Sequence, residues 1–237
     1  MRVAIWGLMA LGFCCGNAAG ATSLRVSPVL LDLQAPRQSA TLRLRNDEKR
    51  DLNVQVRVFR WSQKNGADNY EPTTAIVVSP PATRLASGVD YTVRVVRTSK
   101  APIVAEESYR VLIDEVPTSL VRRSGTVNLV MRHAIPVFFR TQRSPLPKVT
   151  WKIVRDGSNV KLVAQNVGGT RLRLSDLNLM QGNGKTYQKK GLLGYVLAGS
   201  TVAWPVKIGR QTTGTSLTLK ADSQLGPVNE IVSFVGR

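Results

Sequence analysis

Short stretches of alternating apolar and polar residues recur along the chain, and this pattern limits its fold more than any other feature. In Ser39–Asn46 every second residue is apolar, and Leu52–Val58 alternates in the same way. Tyr91–Val96 and Tyr109–Glu115 are two further runs of this kind. A period of two is that of a half-buried β-strand, and no segment after residue 21 shows the period of an amphipathic helix. The sequence therefore predicts an all-β protein.

Two irregular stretches interrupt this strand pattern. Phe59 and Trp61 fall out of phase with the run before them, which predicts a bulge or a strand that leaves its sheet. Residues 141–148 contain two prolines and no periodicity, which is typical of a linker. We expect an N-terminal domain over 22–140 and a C-terminal domain over 149–237, each with roughly seven short strands. Two β-sandwiches of the immunoglobulin type are the natural packing, and a single large barrel is the alternative.

The first 21 residues have the composition of an export signal. One basic residue is followed by an apolar run from Val3 to Cys15 and then by Ala19-Gly20-Ala21, which fits a signal-peptidase site. The sequence predicts a signal peptide over 1–21 that is cleaved after Ala21. A lipoprotein signal with lipid on Cys14 or Cys15 is the alternative, but Ala19–Ala21 offers the better cleavage site. No later segment approaches the length of a transmembrane helix, so we expect no membrane insertion.

The reactive side chains are too few for most enzyme and metal sites. The chain has one histidine, His133, and two cysteines, both within the predicted signal peptide. Asp114 and Glu115 are adjacent on a predicted strand and therefore point to opposite faces, so they cannot act as a carboxylate pair. His133 is predicted to be an ordinary strand residue. The sequence predicts no catalytic residue, no metal site and no cofactor.

The chain is strongly basic, with 33 lysines and arginines against 15 acidic residues and a net charge of +18. Such a charge favours anionic partners. The basic residues are spread over many strands and aromatic residues are only 6%, so a nucleic-acid partner is not expected. Arg94 and Arg97 are expected on a solvated face. A secreted adhesin or carbohydrate-binding module is an alternative function, but it requires an exposed aromatic platform and the tryptophans are scattered.

The longest extended run is Thr126–Arg140, and within it the apolar alternation of Val127–Ile135 exceeds what its own sandwich obviously needs. Val127, Leu129 and Met131 alternate at its start. A strand that is apolar on both faces is either central in a sandwich or binds a partner through its edge. Arg110 lies inside another apolar strand, where it is expected to face solvent or to pair with Asp114 on the same face.

Five stretches together resemble the PapD-like periplasmic chaperones of the chaperone–usher pathway, and are most similar to their archaic, Csu-type branch. These stretches, which occur in both predicted domains, are Val56–Trp61, Ser79–Pro81, Tyr109–Pro117, Met131–Phe138 and Gly194–Thr201. The resemblance implies two immunoglobulin-like domains in an L or boomerang arrangement. It also implies a non-enzymatic periplasmic protein that captures newly exported pilus subunits and delivers them to an outer-membrane usher.

In this family the chaperone lends a strand to a pilus subunit whose own sandwich lacks one. The resemblance places that strand at Thr126–Ile135 and makes Val127, Leu129 and Met131 the side chains that fill the groove of the subunit. In the better-known branch, an arginine and a lysine anchor the carboxylate at the end of the subunit. This sequence has Leu30 and Pro136 at those two positions, so the anchor must differ. Arg110 and Arg132 are the candidates, because a guanidinium can bind a carboxylate through two hydrogen bonds.

Overall fold

The structure is a computed structural model of the 237-residue chain, and it describes residues 24–117, 130–157, 159–182, 184–209 and 215–235. These residues form 17 strands, and none of them belongs to a helix long and apolar enough to cross a membrane. The strands are β1 (Leu24–Ser27), β2 (Leu31–Gln34), β3 (Ser39–Asn46), β4 (Leu52–Lys64), β5 (Ala67–Pro72), β6 (Ile76–Ser79), β7 (Ala82–Leu85), β8 (Asp90–Arg97), β9 (Glu107–Val116), β10 (Arg132–Arg140), β11 (Val149–Asp156), β12 (Asn159–Asn166), β13 (Leu172–Gln181), β14 (Gly184–Val196), β15 (Thr201–Pro205), β16 (Ser216–Ser223) and β17 (Gly226–Val235). The prediction of an all-β fold is confirmed.

The strands form two groups, and we call β1–β10 the first domain and β11–β17 the second domain. In the first domain a four-stranded sheet has the order β1-β3-β8-β6. A six-stranded sheet has the order β2-β10-β9-β4-β5, with β7 also paired to β4. The second domain has a seven-stranded sheet in the order β14-β13-β16-β17-β11-β12-β15. The boundaries at residues 140 and 149 stay a prediction.

The first core lies between the four-stranded and six-stranded sheets. The alternation in β3 decides which residues enter it: Leu42 and Leu44 are fully buried, whereas Arg43 between them is exposed. Fully buried side chains from the facing sheet, such as Tyr109 and Val111, complete this core. Each such side chain contributes about 1.5–3 kcal/mol through removal of its apolar surface from water.

Strand β10 contributes side chains to two different clusters, which explains its long apolar run. Ile135, Val137 and Phe139 belong to the first core. Phe138 points to the opposite face of the sheet and is also fully buried, because the second domain covers it. Every residue from Ile135 to Phe139 is therefore buried, as the continuous apolar block of the sequence predicted.

Strand β4 shows no bulge where the sequence predicted one. Its pairing with β9 runs without a register shift from Asn53 to Arg60, and its pairing with β5 continues from Phe59 to Lys64. Trp61 points to the outward face of the sheet, as the alternation of β4 requires, but its side chain is only 2% exposed. The apolar residue at this outward position was therefore wrongly interpreted as the sign of a bulge. An apolar residue is stable on this outward face because the second domain packs against it.

The stretch between β10 and β11 is held closely against the second domain. The Thr170 hydroxyl donates a hydrogen bond to the Pro145 carbonyl at 3.0 Å. A Cβ atom on Gly168 would lie 2.3 Å from the Leu146 carbonyl oxygen, so only glycine fits at that position. The proline-rich stretch therefore connects the domains along a fixed path.

Candidate functional site

Aromatic rings from both domains meet where the outward face of the six-stranded sheet approaches the second domain. The centroid of the Trp61 ring on β4 lies 5.8 Å from that of Phe138 on β10 and 5.4 Å from that of Tyr195 on β14. Leu197 and the partly buried Leu30 complete this group, which we call the interdomain cluster. Such ring pairs are worth about 0.5–1.5 kcal/mol beyond their buried area, so the cluster helps to hold the domains together.

Arg110 lies directly against the interdomain cluster. Its guanidinium carbon is 3.8 Å from the centre of the Trp61 ring and 5.8 Å from that of Tyr195. Its Nη1 atom donates a hydrogen bond to the Ala134 carbonyl at 3.2 Å, while its buried Nε atom has no hydrogen-bond partner. No carboxylate of the described residues forms an ion pair with it. Arg110 is therefore a positioned cation with unused hydrogen-bond donors.

The first part of β10 has an open edge. The Met131 carbonyl accepts a hydrogen bond from the Glu115 amide at 3.1 Å, which fixes the alternation of the antiparallel pair with β9. The N–H and C=O groups of Arg132 and Ala134 therefore point away from β9. On that side β2 pairs with β10 only from Val137 onward. Among the described strands, none covers the edge before Val137.

Asp114 links the start of β10 to the middle of the six-stranded sheet. Its carboxylate accepts hydrogen bonds from Arg57 Nη2 at 2.6 Å and from Arg132 Nε. Burial of the carboxyl opposes ionisation, but the hydrogen bonds and charges of Arg132 and Arg57 outweigh it, so the pKa of Asp114 lies below 3.8. The ion pairs connect β10, β9 and β4 on the outward face and hold the beginning of the open edge in place.

A second ion-pair network joins the domains at another point of the boundary. Arg171 of the second domain contacts Glu106 through Nη1, and its amide donates to the same carboxylate at 2.9 Å. Its Nη2 atom donates to Asp32 at 2.8 Å, and Arg140 also donates to Asp32 at 3.1 Å. The guanidinium carbon of Arg171 is 3.7 Å from the centre of the Phe138 ring.

The two carboxyl groups of this network have opposite pKa shifts. The Glu106 side chain is 0% exposed, and its burial raises the pKa above 4.5 although Arg171 acts in the other direction. Burial also opposes ionisation of Asp32, but Arg171 and Arg140 outweigh it and lower the pKa of Asp32 below 3.8. The network is therefore sensitive to pH.

An uncharged contact completes the domain boundary. The side-chain amide of Gln63 donates to the Tyr195 carbonyl at 2.8 Å, and its oxygen accepts from the Leu197 amide at 2.9 Å. At the turn after β4, the Gly66 carbonyl accepts from the Ala203 amide at 3.0 Å. Gly66 has φ of 79° and lies too close to Ala203 for an easy substitution, since a Cβ there would be 3.1 Å from the Ala203 Cβ.

The described residues offer little for catalysis or for carbohydrate binding. Within the described ranges, no group of three or more His, Cys, Asp or Glu side chains is placed to hold a metal ion. Trp61 is buried, and Trp151 and Trp204 are partly buried against the second core. These three tryptophans therefore do not form the exposed platform that a carbohydrate-binding module requires.

Comparison with known proteins identifies the family. Residues 23–144 match the family model described as pili and flagellar-assembly chaperone, PapD N-terminal domain. The chain belongs to the PapD family of pilus-assembly chaperones. This is a family of chaperones and not of enzymes, as the sequence predicted. No curated protein sequence matches the chain.

Solved structures of PapD-family chaperones share the fold. The chain is similar to the CsuC–CsuE chaperone–tip adhesion subunit pre-assembly complex from archaic Csu pili of Acinetobacter baumannii, with 25% identity over 91% of this chain and 99% of that chain and a TM-score of 0.68. It is also similar to the Salmonella enterica SafA pilin complex with the SafB chaperone (21% identity, 90% and 98% coverage, TM-score 0.62). The E. coli chaperone DraB matches at 20% identity over 90% and 97%, with a TM-score of 0.57. The prediction of two immunoglobulin-like domains is confirmed.

The structure places some of the predicted site residues and not others. Val127 and Leu129 lie outside the described residues, and Met131 directly precedes β10 with a half-buried side chain. Arg110 and Arg132 share the outward face of the sheet. Arg110 is opposite Pro136, and Arg132 is opposite Asp114. Their backbone positions are therefore four residues apart along the strand direction, which corresponds to about 13 Å. Their guanidinium groups also have different partners, since Arg132 pairs with Asp114 and Arg110 stacks on Trp61.

Two expectations about arginines were wrong. Arg110 does not pair with Asp114, because that carboxylate binds Arg57 and Arg132 instead. Arg97 does not lie on a solvated face. Its side chain is 3% exposed and pairs with Glu107 at 2.7 Å, because it is the last residue of β8 and points inward.

The positions that carry the anchor in the better-known branch have other roles in this member of the PapD family. Leu30 packs against the interdomain cluster. Pro136 is directly opposite Arg110 in the β9–β10 pair, so Arg110 lies on the strand next to the expected lysine position. Sequence reasoning missed Gln63, Glu106 and Arg171, whose partners are distant along the chain and leave no local pattern.

Proposed function

We propose that this protein is a periplasmic chaperone that captures exported pilus subunits by donor-strand complementation and delivers them to an outer-membrane usher. Membership of the PapD family supports the chaperone role. Similarity to CsuC in a complex with a tip subunit supports pilus subunits as the cargo. Export would use residues 1–21 as a signal peptide that is cleaved after Ala21.

The open edge of β10 is the observation that carries this proposal. The N–H and C=O groups of Arg132 and Ala134 point to a side that the other described strands leave uncovered. A pilus subunit that lacks a strand has unpaired edges of the same kind. Pairing the two edges satisfies both sets of backbone groups, and alternate side chains of the added strand enter the core of the subunit.

The structure also limits where an incoming strand can end. Pro136 has no N–H group to donate, and β2 occupies the same edge from Val137 onward. A strand that runs parallel to β10 would therefore end near Pro136. Its terminal carboxylate would then lie close to Arg110, which is opposite Pro136 and donates to Ala134.

Arg110 is the better of the two proposed carboxylate anchors. Its guanidinium has no carboxylate partner among the described residues, whereas Arg132 already pairs with Asp114. A partly buried cation without a counter-ion is electrostatically unfavourable, and the terminal carboxylate of a bound pilus subunit would relieve this. We assign Arg132 to holding the start of the open edge.

Val127, Leu129 and Met131 are the proposed side chains that fill the groove of the pilus subunit. The assignment rests on the resemblance to the family and on the position of these residues directly before β10. Each would contribute about 1.5–3 kcal/mol if it became fully buried in the groove. The groove would thus gain from the chaperone the apolar contacts that the missing strand does not supply.

The sharpest test removes one backbone donor from the open edge. In Ala134→Pro the lost N–H points away from β9, so the internal ladder keeps its hydrogen bonds and the variant should fold. The variant and the pilus subunit encoded by the neighbouring gene are co-expressed, and we expect loss of the one-to-one complex. Ala134→Ser keeps the N–H and is the matched control. A normal yield of complex with Ala134→Pro would contradict donor-strand pairing at this edge.

A second test concerns the groove-filling side chains. Leu129→Glu combined with Met131→Glu should abolish the complex while the chaperone stays folded by circular dichroism, because two charges would enter an apolar groove. If the double variant still carries pilus subunits normally, the assignment of these side chains is wrong. The pairing at Ala134 would not be affected by that result.

A further inference from the structure

A small cleft adjoins Arg110 on the side opposite the open edge of β10. Its volume is about 310 Å³, and it lies between the turn after β4 and the second domain. That volume is at the lower end for ligand pockets and corresponds to about ten water molecules. The cleft is therefore large enough for a single side chain and too small for a folded element.

The walls of the cleft are mainly apolar and come from both domains. Trp61 and Tyr195 are 2% and 7% exposed, and Trp204 packs beside them. Gly194 allows this packing, because a Cβ there would lie 3.2 Å from Nε1 of Trp204. Leu192 lines the cleft and is 55% exposed, although it is a large apolar residue.

The charged groups of the cleft indicate the orientation of an occupant. Arg110 lines it at one end and reaches the Ala134 carbonyl at the open edge. Asp68 lines another part, where its carboxylate accepts hydrogen bonds from Gln63 at 3.0 Å and from Tyr70 at 3.3 Å. A carboxylate is thus attracted to the Arg110 end, whereas an acidic side chain inside the cleft would be repelled by Asp68.

We propose that this cleft binds the side chain of the last residue of the captured pilus subunit. It thereby selects subunits that end in an aromatic or long aliphatic residue. The inference rests on the proposed function, since the terminal carboxylate is taken to bind Arg110. A chain end has its carboxylate and its last side chain on the same carbon atom. A carboxylate on Arg110 therefore places the side chain within reach of the cleft.

The test uses acetylated pentapeptides that differ only in a C-terminal Phe, Leu, Gly, Glu or Lys. Binding to the full-length mature protein is followed by the NMR signals of the Trp61 and Trp204 indoles and by tryptophan fluorescence. We expect the Phe and Leu peptides to bind about tenfold more tightly than the Gly peptide or better. The Glu peptide should bind no more tightly than the Gly peptide.

Variants at two exposed leucines locate the effect. Leu192→Ser should reduce the preference for Phe over Gly at least threefold. Leu225→Ser is the matched control, because Leu225 is also in the second domain and is 57% exposed, but does not line the cleft. Equal binding of the Phe and Gly peptides would overturn the inference. So would a preference for Lys or Glu, or no signal change at millimolar concentration of the Phe peptide.

A separate comparison tests the proposed anchor. The Phe peptide with a C-terminal amide should bind more weakly than its free acid, and Arg110→Gln should remove that difference. If acid and amide differ but Phe and Gly bind equally, the anchor stands and the side-chain site is excluded. If acid and amide bind equally, the anchor at Arg110 is excluded, whatever the preference among side chains.

Discussion

Two arginines stack on aromatic rings at the boundary between the domains, yet their surroundings differ. The guanidinium carbon of Arg171 lies 3.7 Å from the centre of the Phe138 ring, and that of Arg110 lies 3.8 Å from the centre of Trp61. Arg171 also binds two carboxylates, Glu106 and Asp32. Arg110 donates to the Ala134 carbonyl and lies near the Tyr70 hydroxyl, but it forms no ion pair with a carboxylate of the described residues.

One arginine is neutralised by carboxylates of the same chain, and the other is, by our proposal, left to bind a ligand. Stacking on a ring is common to both arginines, so it does not distinguish them. The counter-ions distinguish them, because a cation that is already neutralised by carboxylates of its own chain attracts an anionic ligand only weakly. A positioned cation without a counter-ion favours an anionic ligand.

The largest effect is expected from removal of Arg171. Arg171→Met leaves the buried Glu106 carboxylate with one backbone hydrogen bond but no counter-ion, and we expect a loss of about 3–5 kcal/mol in the free energy of unfolding. Urea denaturation measures this loss. The double variant with Glu106→Gln should recover much of the stability, because it leaves no unpaired charge. A loss below about 1 kcal/mol in the single variant, the scale of an exposed ion pair, would show that Arg171 is no more structural than Arg110.

Removal of Arg110 should change the stability of the protein little and weaken the binding of the pilus subunit strongly. Arg110→Gln should change the free energy of unfolding by less than about 1 kcal/mol, which is the scale of a single cation–π contact. It should weaken binding of the pilus subunit by roughly 2–5 kcal/mol, or about 30-fold or more. Isothermal titration with a purified pilus subunit measures this. Arg132→Gln is the control and should weaken binding less; the reverse order would exclude Arg110 as the anchor.

A smaller effect is expected for Asp114→Asn. The amide cannot hold Arg57 and Arg132 as ion pairs, so the variant should be about 1 kcal/mol less stable at pH 7. Because the pKa of Asp114 is lowered in the folded protein, its contribution is present above pH 3.8. It is lost as the pH falls through the folded pKa. Urea denaturation at several pH values should therefore show the two proteins converging in acid.

The network around Arg171 should show two opposite pH trends. The raised pKa of Glu106 means that the folded protein binds more protons above pH 4.5, so this group costs stability as the pH rises. Glu106→Gln should therefore gain stability relative to the native protein as the pH rises above 4.5. Asp32 has a lowered pKa, so its ionisation stabilises the folded protein. The Asp32→Asn variant should therefore become less stable relative to the native protein as the pH rises towards 3.8. Identical trends for both variants would contradict the assigned shifts.

The smallest effect concerns the overall charge. With +18 on the chain, association with an acidic pilus subunit should slow severalfold as salt rises above about 0.1 M, because screening shortens the range of attraction to about 10 Å. Stopped-flow mixing measures the association rate. Dissociation should change little, since Arg110 is partly buried. An association rate that does not depend on salt would exclude electrostatic steering of the pilus subunit.

The sequence predicted the parts of the fold that depend on near neighbours. The alternation in Ser39–Asn46 predicted β3 with its bounds, because every second residue of a strand points to the buried face and is apolar. The phase of Trp61 was misread, because its burial depends on a domain that begins far along the chain. The same holds for Arg171, whose partners Glu106 and Asp32 are 65 and 139 residues away. Arg110 was found as an anomaly in an apolar strand, but its lack of a counter-ion became visible only in the structure.

Gln63 holds one side of the joint between the domains through hydrogen bonds that do not depend on pH. Its amide does not titrate, so its bonds to Tyr195 and Leu197 keep their strength at any pH at which the chain stays folded. The carboxylates around Arg171 do titrate. Protonation of Glu106 favours the folded state as the pH falls, and Asp32 keeps its charge until the pH is below 3.8, so mild acid should leave both sides of the joint closed and the two domains held together.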